Sequence, residues 1–377
     1  EIDVQRSGTP NVFLNYSYDA LGRLKAISTN DQANGINTKK VVGYEYDDAL
    51  GVLASKNHEL DKQLVNVEYA YDVQQRLNAI QALNQTTSNP QRTLVRHQYY
   101  YDNQVPYHNF GSGLPPQFGF NHNGNINGML SSYDFEGTYG SAPSLFRYPV
   151  LYGYTYDHLN RLVQADGTVG DFVTAAPPEQ LNQRYQIGDE HYTYDKIGNI
   201  LQLTRKRYSH PENPMMSEGW YYNYPTGNNR LISVSGMAGT QSRGYSYDPN
   251  GNLLTDNYRG IMYTQYGRAA YPYFIDAANG VKISYLYSTD DQRMYKKVEG
   301  NNGTTTEFYL QDITGKTVAV RTKTDTNPAQ WEYYINGATE REAKLTGLDH
   351  AGGIQPHEIE FYLYDHLGNT RVVYGPT

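Results

Sequence analysis

The sequence contains no cysteine among its 377 residues. This absence excludes disulfides, thiolate nucleophiles, iron–sulfur clusters and every zinc site that uses sulfur ligands. Basic residues are also few, since 31 Lys and Arg face 39 Asp and Glu and give a formal net charge of −8. A nucleic-acid surface needs clustered Lys and Arg, and the one such cluster, Arg205-Lys206-Arg207, is short. We therefore expect no nucleic-acid partner.

Long apolar runs are absent as well. No stretch approaches the roughly 18 residues of a membrane-spanning helix, so we expect no membrane span. No segment keeps the 3.6-residue periodicity of an amphipathic helix, which predicts little helix of any kind. The first four residues, Glu1-Ile2-Asp3-Val4, include no Met and no apolar signal core. We interpret Glu1 as a cut point in a longer chain.

Tyrosine, in contrast, is abundant. The chain has 39 tyrosines, about one residue in ten, and aromatic residues make up 14% of it. A disordered chain has few aromatic residues, and a helical bundle is rich in Ala, Leu, Glu and Lys, so this composition fits neither class. We expect a core that is built largely from tyrosine.

The tyrosines follow a repeat, Tyr-x-Tyr-Asp, which occurs eight times. The copies are Tyr16/Tyr18/Asp19, Tyr44/Tyr46/Asp47, Tyr69/Tyr71/Asp72, Tyr99/Tyr101/Asp102, Tyr154/Tyr156/Asp157, Tyr192/Tyr194/Asp195, Tyr245/Tyr247/Asp248 and Tyr362/Tyr364/Asp365. After the Asp, several copies continue with any two residues, then Gly, then Arg or Asn, then an aliphatic residue, as in Gly22-Arg23-Leu24. Such a regular pattern indicates a repeat architecture.

Each copy predicts a β-hairpin. Tyrosines two apart in a strand point to the same face, and Tyr favours strands. The Asp then opens a turn by accepting hydrogen bonds from backbone N–H groups ahead of it, and Gly or Asn adopts the positive φ that closes the turn. A single hairpin is marginally stable, so neighbouring hairpins must stack edge to edge. The predicted fold is all-β, a long and twisted antiparallel sheet of stacked hairpins.

We predict one repeat array over residues 1–377, as a segment of a longer chain. Residues 103–150, rich in Pro, Gly, Asn and Phe, are interpreted as one degenerate repeat between loops. Residues 249–377 are predicted to hold less regular repeats, because the turn at Asp312 follows Phe308-Tyr309 instead of Tyr-x-Tyr. The first strand near Tyr16 and the last near Tyr364 are expected to form the edges of the sheet.

Three copies carry a resemblance to a known family. They resemble the YD repeats of the Rhs family, which is related to the shell components of Tc toxin complexes and, distantly, to the teneurins. The sequence of the last copy is most similar to Rhs-type proteins of the Bacteroidota. The copies are Tyr154-Thr155-Tyr156-Asp157-His158-Leu159-Asn160-Arg161-Leu162, Tyr245-Ser246-Tyr247-Asp248-Pro249-Asn250-Gly251-Asn252-Leu253 and Tyr362-Leu363-Tyr364-Asp365-His366-Leu367-Gly368-Asn369-Thr370-Arg371-Val372.

The resemblance implies a bacterial scaffold without enzymatic activity. Its hairpins would spiral into part of the wall of a hollow shell that encloses a toxic C-terminal domain until delivery. The implied partners are further Rhs repeats or a partner shell subunit, the enclosed toxin domain and a secretion or delivery apparatus. The implied location is secreted or at the cell surface. The alternative from another class is an adhesion or glycan-binding array at the cell surface.

Candidate sites for chemistry all have a plainer interpretation. Asp157-His158 and Asp365-His366 resemble acid–base pairs, but both occupy the same position in the repeat turn. Asp248 imitates the start of a calcium loop without the Gly at the required place, and Asp290-Asp291 is more typical of an acidic turn. His357-Glu358 lacks the second His of a zincin helix. We predict no catalytic residue, no cofactor and no metal.

The tyrosine stripes leave three interpretations open, of which an enzyme is the third. The first is that the rings pack between hairpins while their hydroxyls bind backbone or Asp. The second is that some rings are exposed and stack on sugars, with Trp220-Tyr221-Tyr222 and Tyr271-Pro272-Tyr273 as the best candidates. The exposure of the rings distinguishes the first two.

Overall fold

The computed structural model describes residues 2–4, 12–30, 39–60, 63–85, 92–101, 124–139, 142–170, 184–207, 216–236, 242–267, 270–348 and 359–375. These residues form 27 strands and a single-turn 3-10 helix at Ala278–Gly280. In this part of the chain no helix has the length and apolar character needed to cross a membrane. The predicted all-β fold is confirmed.

The strands follow one another along the chain with short turns between many of them. Their bounds are β1 (Ile2–Val4), β2 (Val12–Tyr18), β3 (Leu24–Asn30), β4 (Lys39–Tyr46), β5 (Leu53–Leu60), β6 (Gln63–Tyr71), β7 (Leu77–Gln85), β8 (Arg92–Tyr100), β9 (Gly128–Tyr139), β10 (Ala142–Tyr156), β11 (Leu162–Gly170), β12 (Arg184–Tyr194), β13 (Ile200–Arg207), β14 (Met216–Asn223), β15 (Ser233–Gly236), β16 (Arg243–Tyr247), β17 (Leu253–Asp256), β18 (Ile261–Tyr266), β19 (Pro272–Ala277), β20 (Lys282–Tyr287), β21 (Arg293–Gly300), β22 (Gly303–Gln311), β23 (Thr317–Thr324), β24 (Gln330–Asn336), β25 (Arg341–Leu348), β26 (Ile359–Tyr364) and β27 (Thr370–Tyr374).

The Asp of the repeat builds the turn as predicted. At the first copy, the Gly22 N–H donates to the Asp19 carbonyl at 3.1 Å, and the Asp19 N–H donates to the Arg23 carbonyl at 2.9 Å. The Asp19 carboxylate accepts the N–H groups of Leu21 and Arg23, both at 2.9 Å. The second strand then begins at Leu24. A register shift between Ser17 and Tyr18 completes a type I turn with a β-bulge, which turns the chain while the strands keep their twist.

One residue in each turn adopts the left-handed conformation, and it is not always glycine. The φ angle is 78° at Gly22 and 96° at Gly198, but the same place is held by Gln75 at 61° and by Asn160 at 62°. A residue with a side chain is strained there, Asn less than others. Gln75 therefore stores a small local strain in its turn.

Exchanging the residue with positive φ is expected to change stability in opposite directions at two turns. Gly198→Gln should lower the free energy of unfolding by about 1–2 kcal/mol, and Gln75→Gly should raise it by up to about 1 kcal/mol. No atom lies within 4 Å of a Cβ built at Gly198, so the first effect is conformational and not a clash. Urea unfolding measures both variants. A neutral result for Gly198→Gln would contradict the requirement for positive φ.

The chain divides into two compact units. The first comprises Glu1–Val67, Gln85–Pro90 and Tyr245–Thr377, and the second comprises Glu68–Asn84 and Gln91–Gly244. In the second unit, successive strands pair antiparallel from β7–β8 to β14–β15. Its long pair β9–β10 covers the C-terminal part of the segment predicted to be a degenerate repeat, while residues 102–123 lie outside the described part.

The first unit contains two runs of antiparallel strands, β1 to β5 and β16 to β27. Side chains of both runs share one hydrophobic core. From the N-terminal run the core takes Leu14, Leu24, Ile27, Val41, Val42 and Tyr44, and from the C-terminal run Ile335, Ala343, Leu345, Ile359 and Phe361. The N-terminal hairpins thus lie against strands that follow them by about 300 residues.

The expectation that Tyr16 and Tyr364 lie on edge strands is wrong. The strand of Tyr16 pairs with β1 as well as β3, and the strand of Tyr364 pairs with both β25 and β27. The reason is that a further strand, with no Tyr-x-Tyr pair of its own, flanks each of them. The sequence also predicts loops at residues 167–178 and 209–218, and both are shorter than that, because β11 continues to Gly170 and β14 begins at Met216.

Candidate functional site: the repeat joint and a buried ionic cluster

A recurring contact links each hairpin to the one before it. The hydroxyl of the second tyrosine of a pair donates to the carbonyl of the residue that begins, or lies next to, the second strand of the preceding hairpin. We call this contact the repeat joint. Examples are Tyr46 to Leu24 (3.0 Å), Tyr101 to Leu77 (2.8 Å), Tyr156 to Ile126 (2.8 Å), Tyr194 to Leu162 (2.6 Å), Tyr287 to Pro272 (3.0 Å) and Tyr364 to Arg341 (2.7 Å).

In three joints an arginine strengthens the contact. The guanidinium of Arg23 lies 4.4 Å from the ring centre of Tyr46, and Arg161 lies 4.6 Å from that of Tyr194. The same guanidinium is bonded to the turn carboxylate of its own hairpin, 2.6 Å from Arg23 Nε to Asp19. A cation over an aromatic face is attractive, so the turn of one hairpin holds the tyrosine of the next.

Other copies have Asn in place of this Arg. The Asn199 side-chain amide donates to the Asp195 carboxylate at 2.8 Å, which keeps the turn closed but offers no cation to the following ring. The choice between Arg and Asn thus sets how firmly adjacent hairpins are joined.

The repeat joint shifts the pKa values of the groups that form it. Burial raises the pKa of Tyr46 and Tyr194, and the charges of Arg23 and Arg161 only partly oppose this effect. Desolvation would raise the pKa of Asp19, but hydrogen bonds from Arg23 and Leu21 lower it below its usual value. These shifts keep the tyrosine neutral and the Asp ionised, which are the forms that the joint requires.

A second arrangement lies in the core of the first unit, where charged side chains meet away from solvent. We call it the buried ionic cluster, formed by Tyr44, Lys56, His58, Glu340, Glu342 and Tyr374. The Lys56 side chain is 6% exposed, and those of His58 and Glu342 are 1% exposed. The cluster joins β4 and β5 to β25 and β27.

Glu342 is the centre of this cluster. Its carboxylate accepts the Tyr44 hydroxyl at 2.9 Å and the Lys56 ammonium at 3.2 and 3.3 Å. It also lies 3.4 Å from His58 Nε2, while His58 Nδ1 lies 2.5 Å from the Tyr374 hydroxyl. A neutral imidazole with its hydrogen on Nε2 satisfies both contacts, since it donates to Glu342 and accepts from Tyr374.

Lys56 is held by a second carboxylate as well, because it also forms an ion pair with Glu340. The backbone approaches the cluster closely at Gly337, which is buried. A Cβ at this position would lie 2.6 Å from the Tyr44 hydroxyl oxygen and 3.0 Å from Glu342 Cγ. The bend after β24 therefore needs a glycine so that Tyr44 and Glu342 can meet.

The cluster shifts the pKa values of Glu342 and Tyr44. Burial by itself would raise the pKa of Glu342, but the hydrogen bond from His58 and the charge of Lys56 outweigh burial and hold the pKa below its usual value. The pKa of Tyr44 is raised, first by burial and then by the charge of Glu342. Glu342 is thus a buried anion with a complete set of donors.

Acid is expected to weaken the first unit through this carboxylate. Because the folded pKa of Glu342 lies below its usual value of 4.5, its contribution is complete above about pH 4.5 and is lost as the pH falls below that value. Turn carboxylates such as Asp19 and Asp365 act in the same direction. Urea midpoints at pH 7, 5, 4 and 3 measure the loss. Glu342→Gln should show a shallower fall, and an identical fall in both proteins would contradict the assignment.

The cluster is built for holding strands and not for turning over a substrate. Its polar atoms bond to one another, and Lys56, His58 and Glu342 are closed to solvent. No motif of the sequence includes Lys56, His58 or Glu342. The pattern shows only that Lys56 and His58 share a strand face, as do Glu340 and Glu342, and gives no sign that the two faces meet.

The structure places both Asp-His candidates, Asp157-His158 and Asp365-His366, in turns. The Asp157 carboxylate accepts the N–H groups of Leu159 and Arg161 and the Arg161 side chain, while His158 is exposed. Asp365 is bonded in the same way by Leu367 and Asn369. Both Asp residues are thus occupied as turn caps.

Arg371 adds a further bond to Asp365 at 2.7 Å. His366, which follows Asp365 in the sequence, is half-buried, and burial lowers the pKa of its imidazole.

The other candidates lie in turns too, so far as they are described. Asp248 caps its turn through Asn252, and Asp291 is the residue with positive φ in a turn after Ser288. His357 and Glu358 lie outside the described residues. Within the described ranges, no group of three or more His, Asp and Glu side chains is arranged to hold a metal ion.

The aromatic candidates are partly exposed. Tyr221, Tyr271 and Tyr273 are exposed, whereas Trp220 and Tyr222 are half-buried. The Tyr271 ring stacks on that of Tyr287 at 5.1 Å. Among the repeat tyrosines, Tyr44 and Tyr99 are buried, many of the others are half-buried, and Tyr18 is exposed.

Comparison with known proteins gives a fold. No protein-family model and no curated protein matches the sequence. Thirty-one chains of solved structures are similar to it. One is a crystal structure of TcdB2-TccC3-TEV, a Tc toxin chain, with a TM-score of 0.59 and 16% identity over 97% of this chain.

The present chain spans 16% of the length of that Tc toxin chain. The likeness shows that the stacked hairpins share the all-β fold of that Tc toxin chain.

Proposed function

We propose that this chain is a scaffold that forms part of the wall of an Rhs-type shell, as in Rhs proteins of the Bacteroidota. The observation that carries the proposal is the repeat joint, which recurs from Tyr46 to Tyr364 and links hairpin to hairpin by the same hydrogen bond. A wall needs this kind of local, repeated contact, because each unit then depends only on its neighbours. The likeness to a Tc toxin chain supports the proposal.

In this function the shell encloses a toxic effector domain and helps to deliver it. The partners are further repeats or a second shell subunit, the enclosed toxin and a secretion or delivery apparatus, and the protein acts outside the bacterial cell or at its surface. The chain contributes structure and no enzymatic step. The carboxylates of Asp157 and Asp365 support a structural role, since both accept hydrogen bonds within their own turns.

The gene product that contains this segment provides the test. Sequencing past Thr377 should reveal a core-end segment followed by an unrelated domain, and that domain should resist protease in the intact protein. Denaturing the repeats should make it sensitive. A surface anchor in place of the domain, or a domain equally sensitive in both states, would contradict the shell.

A second candidate function is glycan binding by the exposed tyrosines. Tyr271 and Tyr273 favour it, because exposed rings can stack on sugar faces. A glycan array on the purified chain tests it, with Tyr271→Ala and Tyr273→Ala expected to remove binding and Tyr18→Ala, also exposed, expected to retain it. No signal on the array would exclude this candidate.

A further inference from the structure

The residue that begins the second strand of a hairpin is aliphatic in several copies of the repeat but polar near the end of the chain. The aliphatic residues are Leu24 in β3, Leu77 in β7 and Leu162 in β11. The polar residues are Thr317 in β23, Arg341 in β25 and Thr370 in β27. Three neighbouring hairpins thus present polar side chains where the regular copies have a leucine.

The middle hairpin of these three, β24–β25, also lacks the second tyrosine of the repeat. Asn336 takes its place directly before the turn, and its side-chain amide donates to the Thr317 carbonyl at 2.9 Å. In the next hairpin a tyrosine makes the corresponding bond, from the Tyr364 hydroxyl to the Arg341 carbonyl at 2.7 Å. The contact between hairpins is therefore kept at Asn336, but without the volume of a ring.

A cavity of about 350 Å³ lies between these two contacts. We call it the polar pocket, and its lining includes Lys316, Thr317, Asn336, Arg341, Tyr364 and Thr370. The replacements explain the space, because Thr and Asn are smaller than the Leu and Tyr of the regular copies. Ligand sites commonly measure roughly 300–1,000 Å³, so the polar pocket has the size for a small ligand.

Arg341 has a buried donor without an acceptor in the part of the chain that the structure describes. Its Nε is the donor, and its guanidinium lies 3.5 Å from the ring centre of Tyr334. In the first hairpin, by comparison, Arg23 Nε lies 2.6 Å from the Asp19 carboxylate. A buried donor without an acceptor is costly, and the planar guanidinium matches the oxygens of a carboxylate or phosphate. An oxyanion in the polar pocket would accept from this group.

Lys316 brings a second positive charge to the polar pocket. It follows the turn residue Asp312 by four positions, the place of the Arg in the regular copies. That Arg lies over a tyrosine ring, whereas the Lys316 ammonium donates to the carbonyls of Gly337 and Ala338, at 3.1 and 3.2 Å. Both acceptors are neutral, so they leave the charge of Lys316 able to attract an anion.

One carboxylate also lines the polar pocket, that of Glu340. It forms an ion pair with Lys56 of the buried ionic cluster. Its negative charge is therefore already balanced by a lysine that lies outside the lining. The charges of Lys316 and Arg341 remain for a ligand.

We propose that the polar pocket binds an oxyanion, the carboxylate, sulfate or phosphate group of a small ligand, with Lys316 and Arg341 as its cationic contacts. The hydroxyls of Thr317 and Thr370 can donate hydrogen bonds to the same group. The inference goes beyond the proposed function, because it assigns a ligand to the hairpins themselves and needs no enclosed cargo.

Isothermal titration calorimetry of the whole chain tests the proposal, in a low-salt buffer near neutral pH. The two probes are inorganic phosphate and glucuronate, a sugar carboxylate. Lys316→Gln and Arg341→Gln are each expected to weaken binding about tenfold or more, since each variant loses a charged hydrogen bond. Lys323→Gln removes an exposed charge from β23 outside the pocket, so it is the matched control and should bind like the parent protein.

Binding of phosphate alone would assign the polar pocket to a phosphate or sulfate group, and binding of glucuronate alone would assign it to a carboxylate. Binding of neither probe would overturn the proposal. An affinity that Lys316→Gln leaves unchanged, or that Lys323→Gln lowers equally, would also overturn it. Circular dichroism checks the fold of Arg341→Gln, whose side chain contacts Tyr334. If that variant is unfolded, Lys316→Gln decides, because its side chain is exposed.

Discussion

Replacing Glu342 by alanine is expected to lower the free energy of unfolding of the first unit by about 3–5 kcal/mol, the cost of removing one partner from a buried ion pair. The loss is large because Lys56 keeps its charge but loses one of its two carboxylates, and His58 and Tyr44 each lose a hydrogen-bond acceptor. Urea unfolding measures the loss. Hydrogen exchange should place it in β4, β5 and β25, where the cluster joins the two runs of strands.

Glu360→Ala is the matched control for this variant. Glu360 lies in the same unit and pairs with Lys344 at 3.1 Å, but its side chain is 46% exposed. An exposed pair of this kind contributes at most about 1 kcal/mol. Equal losses of stability for Glu342→Ala and Glu360→Ala would show that the cluster is hydrated. A loss of hydrogen-exchange protection far from β4, β5 and β25 would show that the cluster does not stabilise these strands locally.

The turns could be predicted from the sequence because all their contacts are local. Asp19 binds the backbone of residues two and four positions ahead, and Arg23 returns to the same carboxylate. Five consecutive residues thus contain the donors, the acceptor and the residue with positive φ. Even the copy with Gln75 keeps the geometry, since the other contacts of its turn impose the strained conformation.

The buried ionic cluster could not be predicted, because its contacts join residues that are far apart in the chain. Lys56 and Glu342 are 286 residues apart, and nothing local to either one specifies the other. A lysine on a strand is normally solvated, and so is a glutamate. Only the fold, which brings the N-terminal hairpins onto β24 to β27, removes both from water.

The repeat tyrosines are an intermediate case. Their spacing predicts a shared strand face and a bonded hydroxyl, and both are found, as at Tyr46. The depth of burial differs from the expectation, since Tyr44 is buried, Tyr46 is half-buried and Tyr18 is 60% exposed. The physical reason is the joint itself: the second tyrosine must reach the end of a neighbouring strand, where the sheet borders on solvent.

Replacing a buried phenylalanine of the first unit, Phe361, should cost much more stability than replacing an exposed one, Phe308. Phe361→Ala is expected to cost about 3–5 kcal/mol, as for other buried aromatic side chains. Its ring stacks between His58 at 4.9 Å and Tyr374 at 5.5 Å, so truncation leaves a cavity beside the ionic cluster. Phe308→Ala is expected to cost about 1 kcal/mol or less, because its ring is exposed and loses mainly the contact with Tyr295.

Urea unfolding of the two variants tests whether β2 to β5 cover Phe361 and leave Phe308 exposed. Similar small losses would mean that β2 to β5 do not cover Phe361. Similar large losses would mean that Phe308 is already covered in solution. A large loss at Phe361 with a small one at Phe308 is the result that the contacts of Tyr16, Tyr44 and His58 require, because these contacts hold β2 to β5 over β24 to β26, where Phe361 lies, and Phe308 is exposed.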